Sequence, residues 1–582
     1  MNYSDQIALA DSLADVDAGS SPPRYADEEA QISGDVARWW ERDTADFAKY
    51  PVDPGWIDLD IVRGWIDTCI SDHGPSCWAL EGIDGAPLWL IDVDLLCLVP
   101  ASSHLTYVAL SYVWGDVPTS ETTMANLADM QEPGALSEAK NNISIPKTIS
   151  HAIGFVQALG ERYLWVDKFC ICQDDEESKS AQINIMGDIY NRALFTLIAA
   201  SGWDANHGLR GVKGVTDPRN LSPNTGEDYV KSLQPQSSIW YSRGWTFQEL
   251  YMSTRKLMFH YQTVIWECGQ HVWHEVHGCQ GFAKAELPLS LRITPSRQLQ
   301  DLINTNLLAD GQIGAFYDFV NAYNLRDLRF PADASRAFAG IMSILSKTVL
   351  MGGLFWGIPV DFFHAALLWI PREPLKRRQP ENPGPTWPDP PSWSWLGWQG
   401  RIWSHNWYSV RYTGSQNTWQ TLLAHLEPEC EWRYMNHDNM RLEPLGPQVG
   451  GNLYSPCLRA RARVGSLRFV EDSTTFSSYV EARQLHILTK DGTYERCGIL
   501  LGDDLWSLVG DTDIECVVIS RCTGGFLPSL EPQYPFSGVQ DYYNFLWVNR
   551  DGDAMYRRGI GRVVRRLWDK HIGDTFQDIQ LC

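Results

Sequence analysis

Trp114, Asp116, Asp167, Gln173 and Asp174 follow closely on stretches that read as buried strands, and Arg243, Trp245, Gln248 and Glu249 crowd a third polar and aromatic block. In an open parallel sheet, ligands bind in the crevice at the carboxyl ends of the strands. Carboxylates, amide donors, a guanidinium and flat rings in one crevice are what holding a nucleotide sugar and stabilising an oxocarbenium-like transition state require. Glu249 is the candidate catalytic carboxylate, with Trp114 or Trp245 as a stacking wall. The same residues also fit a structural role, in which Asp167 caps a turn, Glu249 pairs with Arg243 and both tryptophans belong to the core.

Two further groups have the chemistry of metal ligands. Cys69, His73 and Cys77 offer three zinc-type donors where a structural site wants four, and their spacing is not that of a common finger. Cys268, His271, His274, His277 and Cys279 are dense, but no known ligand spacing fits them. No metal is assigned to either group, and no cofactor is expected. Cys170 and Cys172, one residue apart, would share one face of a strand and be buried there. Motifs for phosphate loops, dinucleotide-binding turns, nucleophile elbows and zinc proteases are all missing from the sequence.

The elements that position these residues can be read from periodicity. Tyr107 to Val113 is an apolar run ending at Trp114-Gly115-Asp116, which predicts a central strand. Pro146 opens a helix whose apolar positions Ile149, Ile153 and Val156 repeat at helical spacing, and Gly160 closes it. Tyr163 to Val166 is a second strand. Asp174 to Glu177 sit at the start of a second helix, where its dipole favours acids, with Ile183, Met186 and Tyr190 on one face. Leu194 to Ala200 is a third strand. Strand, helix, strand, helix, strand with short joints predicts a parallel α/β sheet covered on both faces.

Further on, eight prolines and the basic Lys376, Arg377 and Arg378 between residues 371 and 391 suit a stiff linker. Beyond it, Leu458, Ala460, Ala462 and Val464 alternate with Arg459, Arg461 and Arg463, Cys516 to Ser520 is β-branched, and the Asp551-Gly552 turn joins Phe545–Asn549 to Ala554–Arg557. The expected organisation is an acidic tail (1–33), an N-terminal extension (34–103), an α/β core (104–270), a helical region (271–370), the linker (371–391) and an antiparallel β-rich region (392–582).

The 582 residues are 44% apolar and include 26 Trp, enough for several folded domains with large buried or ligand-facing rings. A net charge of −23 argues against nucleic acid or anionic membrane as the main partner. The basic run Arg557, Arg558, Arg562, Arg565, Arg566 and Lys570 reads as a solvated face or an intramolecular partner for acidic segments rather than a nucleic-acid site. The apolar stretch from Ala337 to Val360 is interrupted by Lys347, Gly352, Gly353 and Pro359, so no membrane span is expected. Thirteen cysteines spread over the chain, and no positive charge in the first 23 residues, predict a reducing, cytoplasmic setting.

Three blocks in the core carry a resemblance: Leu110-Ser-Tyr-Val-Trp-Gly-Asp116, Tyr163-Leu-Trp-Val-Asp-Lys-Phe-Cys-Ile-Cys-Gln-Asp-Asp175 and Ser242-Arg-Gly-Trp-Thr-Phe-Gln-Glu249. Together with Met186-Gly-Asp-Ile-Tyr190 and Gly208-Leu-Arg-Gly-Val212 between them, they closely resemble the blocks of the fungal heterokaryon-incompatibility (HET) domain, in the same order. Trp65, Cys69, His73 and Cys77 upstream, Pro391-Ser-Trp-Ser-Trp395 and Gly559-Ile-Gly561 extend the likeness. The resemblance implies a cytosolic fungal protein of nonself recognition that triggers growth arrest or programmed cell death, with protein partners of the incompatibility system and self-association. That family is held to be remotely TIR-like, and some TIR domains hydrolyse NAD. The strand carrying Ser111 and Tyr112 is similar to a TIR first strand, which adds both residues to the candidate binding set and makes NAD a candidate substrate. The catalytic Glu of TIR-type hydrolases has no clear counterpart here, since the second helix offers Glu176, Glu177 and Gln182. A degenerate member acting only as an interaction module is the third reading.

Overall fold

A computed structural model describes residues 52–80, 85–137, 143–221, 235–275, 299, 302–303, 313–371, 373–378, 389–403, 426–436, 441–446, 455–469, 483–489, 491–502, 512–524 and 540–582. The acidic tail, His277, Cys279 and most of the proline-rich segment lie outside the described residues.

Apolar runs bounded by turns produce the first sheet. Its strands are β1 (Trp89–Asp92), β2 (Cys97–Pro100), β3 (Val108–Ser111), β4 (Tyr163–Trp165), β5 (Thr196–Ala199), β6 (Arg255–His260), β7 (Thr263–Cys268) and β8 (Val272–His274), in the spatial order β2-β1-β4-β3-β5-β6-β7-β8. The four central strands, β4, β3, β5 and β6, are parallel, as the strand–helix alternation predicts. Antiparallel hairpins extend both flanks, β1–β2 on one side and β6–β7–β8 on the other. Every residue of β3 and β5 is buried, as strands covered on both faces must be.

The connecting helices follow their sequence signals. Lys147–Leu159 begins after Pro146 and ends at Gly160, whose φ of 91° is the left-handed cap conformation that glycine adopts freely. The second expected helix starts where Asp175 accepts a hydrogen bond from Ser178 N at 3.1 Å, but it runs as two pieces, Glu176–Asn184 and Met186–Arg192. Cys170 departs from expectation: Asp167–Cys170 is a single helical turn, so Cys170 does not lie on a strand face with Cys172.

Three helices close over the sheet at two glycines. Gly187 and Gly340 face each other across the contact between Met186–Arg192 and Ala339–Thr348, and a Cβ on Gly340 would stand 2.7 Å from Gln248 Oε1 and 3.0 Å from Gly187 Cα. This crossing lets Gly340 N donate to Gln248 Oε1 at 2.6 Å and sets the height of the Gly244–Met252 helix above the sheet. The Ala339–Thr348 helix comes from the apolar stretch around Ala337 to Val360, and no described helix is long and apolar enough to cross a membrane.

Six strands of the C-terminal half pair antiparallel and close on themselves. Strands Leu458–Phe469, Thr512–Gly524, Gln540–Asp551, Ala554–Val564, Tyr494–Gly502 and Arg483–Leu488 pair in a ring, because Leu458–Phe469 bonds both Arg483–Leu488 and Thr512–Gly524. Closure pairs both sides of these six strands, while the short strands Glu427–Pro428 and Arg433–Asn436 with Arg441–Pro444 are appended to the ring. Leu458, Ala460, Ala462 and Val464 point inward and Arg459 and Arg461 outward, as their alternation predicts. The ends of the proline-rich segment are tied in by short pairings of 370–371 with 402–403 and of 376–377 with 398–399.

Substituting Gly340→Ala should lower stability by about 1–3 kcal/mol through overpacking. Gly446→Ala, where a Cβ meets open space, should change it by no more than about 0.5 kcal/mol. Urea midpoints followed by tryptophan fluorescence compare the two, and equal midpoints would remove the close-crossing argument.

Candidate functional site

Ser111 is the last residue of β3, and its hydroxyl is buried against the Glu249 carboxyl, to which it is hydrogen-bonded. Trp240 Nε1 donates to the same hydroxyl oxygen at 2.7 Å. An indole N–H can only donate, so it occupies one lone pair of Ser111 Oγ and leaves the hydroxyl two ways to meet Glu249. Ser111 donates to an ionised carboxylate or accepts from a protonated one, so the pair survives either charge state.

Glu249 lies in the Gly244–Met252 helix, buried along most of its length, and is 7% exposed. Burial drives its pKa up to about 7, against the opposing pull of the Ser111 hydrogen bond and the Arg243 charge, while the nearby Asp167 charge adds to the rise. The Tyr190 hydroxyl, on the Met186–Arg192 helix, also lies against this carboxyl and donates to Leu110 O at 3.1 Å.

Asp167 follows β4 and forms the second centre. It accepts from Trp114 Nε1 at 2.8 Å and from Lys168 N at 2.8 Å, yet burial still raises its pKa above the usual carboxylate range. The Lys168 ammonium sits 4.6 Å from the centre of the Trp114 ring, a cation–π contact, and 3.6 Å from Glu121. Arg243 bridges the two centres electrostatically, and its guanidinium donates to Tyr112 O at 2.7 Å. The Tyr112 phenol is buried beside Asp167, and burial followed by that charge pushes its pKa well up.

Ser111, Tyr112, Trp114, Asp167, Arg243 and Glu249 therefore share one network at the carboxyl ends of β3 and β4. The remaining candidates serve elsewhere. Asp116 is exposed and pairs with Arg329 at 2.9 Å, Asp174 is exposed and caps Met124 N at 2.7 Å, and the Gln173 amide ties Asp167 O and Ile171 O. Trp245 Nε1 reaches Asp333 at 3.3 Å, and Gln248 holds the Gly340 crossing. Glu249 bonds Ser111, with Arg243 acting on it through charge. Glu176 and Glu177 are exposed, whereas Gln182 is buried and accepts from Leu88 N. Trp240, Tyr190 and Lys168 are network members that sequence reasoning did not single out as site residues. Tyr190 was legible as one residue of an apolar helix face and as the end of the Met186–Tyr190 block, and Trp240 stands just outside the third block.

Chemically, a carboxyl group that titrates near neutrality beside an ordered hydroxyl can hold or release a proton, the property general acid–base work requires. The three thiols Cys69, Cys77 and Cys268 come together with His73 at the opposite flank of the sheet, on the β7 side, and form, among the described residues, a group able to hold a metal ion.

The pH dependence of folding tests this network. A carboxyl whose pKa is raised on folding stabilises the native state fully below its unfolded value and loses that contribution as pH rises through the folded value. For Glu249 the window runs from about 4.5 to 7, and the contribution lost across it is about 3 kcal/mol. Glu249→Gln should flatten the fall in urea midpoint between these pH values relative to wild type. Parallel profiles for the two proteins would mean that Glu249 titrates normally.

The sequence model of the family described as heterokaryon incompatibility protein (HET) matches residues 107–249, a span that runs from the foot of β3 to Glu249 itself. Heterokaryon incompatibility protein 6, OR allele, of Neurospora crassa is 37% identical over 106 residues, which cover 17% of this chain and 15% of that protein. No solved structure matches the chain. The chain thus carries a HET domain, built on the parallel sheet and ending at the carboxyl group that its buried network surrounds.

Proposed function

We propose that this protein acts in fungal nonself recognition, as a cytoplasmic component of vegetative incompatibility whose HET domain triggers growth arrest or programmed cell death. The observation that supports the reading most is the match of residues 107–249 to the HET family, because it encloses the entire Ser111–Glu249 network. Protein partners of the incompatibility system and self-association belong to the same proposal. Inducible expression of the full chain in a filamentous fungus should arrest growth and reduce colony-forming units. Normal growth with the protein present on immunoblots would overturn it.

A second reading, a TIR-like NAD glycohydrolase whose activity is the toxic signal, is favoured by one observation. Glu249 has a pKa near 7 at the carboxyl end of a parallel strand, with Arg243 and Asp167 acting on it. Because the carboxyl is buried and bonded to Ser111, substrate would reach it only if this buried network opened. If the reading holds, purified wild type consumes NAD and Glu249→Gln does so about 100-fold more slowly or less. Equal turnover removes Glu249 as the catalytic carboxylate, and no turnover in either protein while circular dichroism shows both folded removes the enzyme and leaves the signalling module. A member that neither turns over NAD nor arrests growth would be the degenerate interaction module.

A further inference from the structure

We propose that Cys69, His73, Cys77 and Cys268 bind one zinc ion in a closed, structural site. The four donor atoms lie within 4.8 Å of one another. His73 Nδ1 is 3.6 Å from Cys77 Sγ and 3.4 Å from Cys268 Sγ. A tetrahedral zinc with Zn–S near 2.3 Å and Zn–N near 2.0 Å has donor–donor edges of about 3.5–3.8 Å, so the cluster already has the size of a coordination shell. All four side chains are buried, at 0%, 6%, 0% and 2% exposure in chain order, and none of the three cysteines is in a disulfide.

The backbone brings the donors together from two distant places. Cys69 lies on the inner face of the Leu59–Ser71 helix with Val62, Trp65 and Ile66, and the chain reverses after Asp72 so that His73 and Cys77 return to the same point. Cys268 is the last residue of β7. The turn that follows it closes with Cys268 N donating to His271 O at 3.0 Å and His271 N donating to Cys268 Sγ at 3.3 Å. Gly269 allows this turn to press on the Pro75–Cys77 turn, since a Cβ there would fall 2.0 Å from Ser76 O.

An outer layer also fits a metal ligand. His73 Nε2 and His271 Nδ1 are 3.0 Å apart, their rings stack at 4.8 Å, and Trp273 packs 5.4 Å from each. A ligating histidine commonly engages its second ring nitrogen in this way, which fixes the tautomer and ring orientation. Three sulfurs and one nitrogen select zinc over hard cations, and four protein donors leave no open position for catalysis. The ion would clamp a helix that precedes residues 107–249 to a hairpin that follows them.

Elemental analysis of the full chain, purified without chelator, should find one zinc per molecule, and X-ray absorption should give three sulfur neighbours and one nitrogen at about 2.3 and 2.0 Å. Cys268→Ser should reduce bound zinc to background. His271→Ala should keep the stoichiometry and bind zinc about 10–100-fold more weakly in competition with a chromophoric chelator. Should Cys268→Ser be insoluble, cobalt exchanged into wild type reads the same thiolate-rich tetrahedral shell by its absorption spectrum. Metal-free wild type that takes up no added zinc, unchanged zinc in soluble Cys268→Ser, or a disulfide among Cys69, Cys77 and Cys268 on peptide mapping would each overturn the proposal.

Discussion

Dehydrating a carboxyl group is costly, and the Gly244–Met252 helix buries one at the end of a parallel strand. Much of the domain is arranged around that cost. Part is met by protonation, which the raised pKa of Glu249 expresses, and part by Ser111, Tyr190 and Arg243. These partners come from separate elements: β3 supplies Ser111, the Met186–Arg192 helix supplies Tyr190, and Arg243 stands at the start of the buried helix itself. None can shift without leaving a buried polar atom short of a partner, which is why one acid can fix the mutual placement of strand and helices.

The parts of this arrangement governed by local rules were legible in the sequence. β3, β4, β5 and the Lys147–Leu159 helix with its Gly160 cap announce themselves through apolar periodicity and turn chemistry, and the parallel order follows from their alternation. Ser111, Tyr112, Trp114, Asp167, Arg243 and Glu249 were legible as a group because parallel strands deliver their ends to one place. Gln248 and Trp245 were not separable from them by type. Helix phase decides that Glu249 faces Ser111 while Gln248 faces Gly340, and a nine-residue buried helix has no polar face from which to read that phase. Cys268 was legible as a candidate metal donor, but its grouping with the upstream donors was not, for a different reason. Spacing rules look along the chain, and its fellow donors Cys69, His73 and Cys77 are reached only by folding β7 against the Leu59–Ser71 helix.

Two compositional signals took a meaning in the structure that counting could not give. Four core tryptophans end their indole N–H groups on backbone carbonyls: Trp369 on Trp393 O, Trp393 on Pro456 O, Trp395 on Gly357 O and Trp398 on Ser392 O, all between 2.8 and 3.0 Å. The arginine run at 557–570 is no continuous solvated face. Arg557 is buried with its guanidinium 3.5 Å from the Trp369 ring centre and donates to Leu367 O, Trp369 O and Trp393 O, while Arg562 is buried on Asn544. Arg557 thus meets carbonyls and a ring and Arg562 a side-chain amide, while Arg565 pairs with Asp569 at 3.4 Å. Arg377 and Arg378 behave alike, the first on Gly397 O and Pro390 O and the second on Asn324 O. Among the described cysteines one pair, Cys457 and Cys582, is joined as a disulfide, which fastens the last strand to the barrel beside Leu458.

These buried arginines also show how the helix bearing Glu249 is held at its start. Gly244 N donates to Asp327 O at 2.7 Å and Asp327 N to Ser242 O at 2.6 Å, so residue 327 fixes where the helix begins. Asp327 is in turn held by Gln399, whose amide donates to its carboxylate at 2.8 Å, and the neighbouring Arg326 stacks on Tyr241 and Phe247. Gln399 belongs to the short strand paired with Lys376–Arg377, which is C-terminal to the HET match. The position of Glu249 is therefore set from two sides, by β3 within the matched domain and by a chain of hydrogen bonds from outside it. Residues 107–249 contain the whole network but not everything that holds it in place.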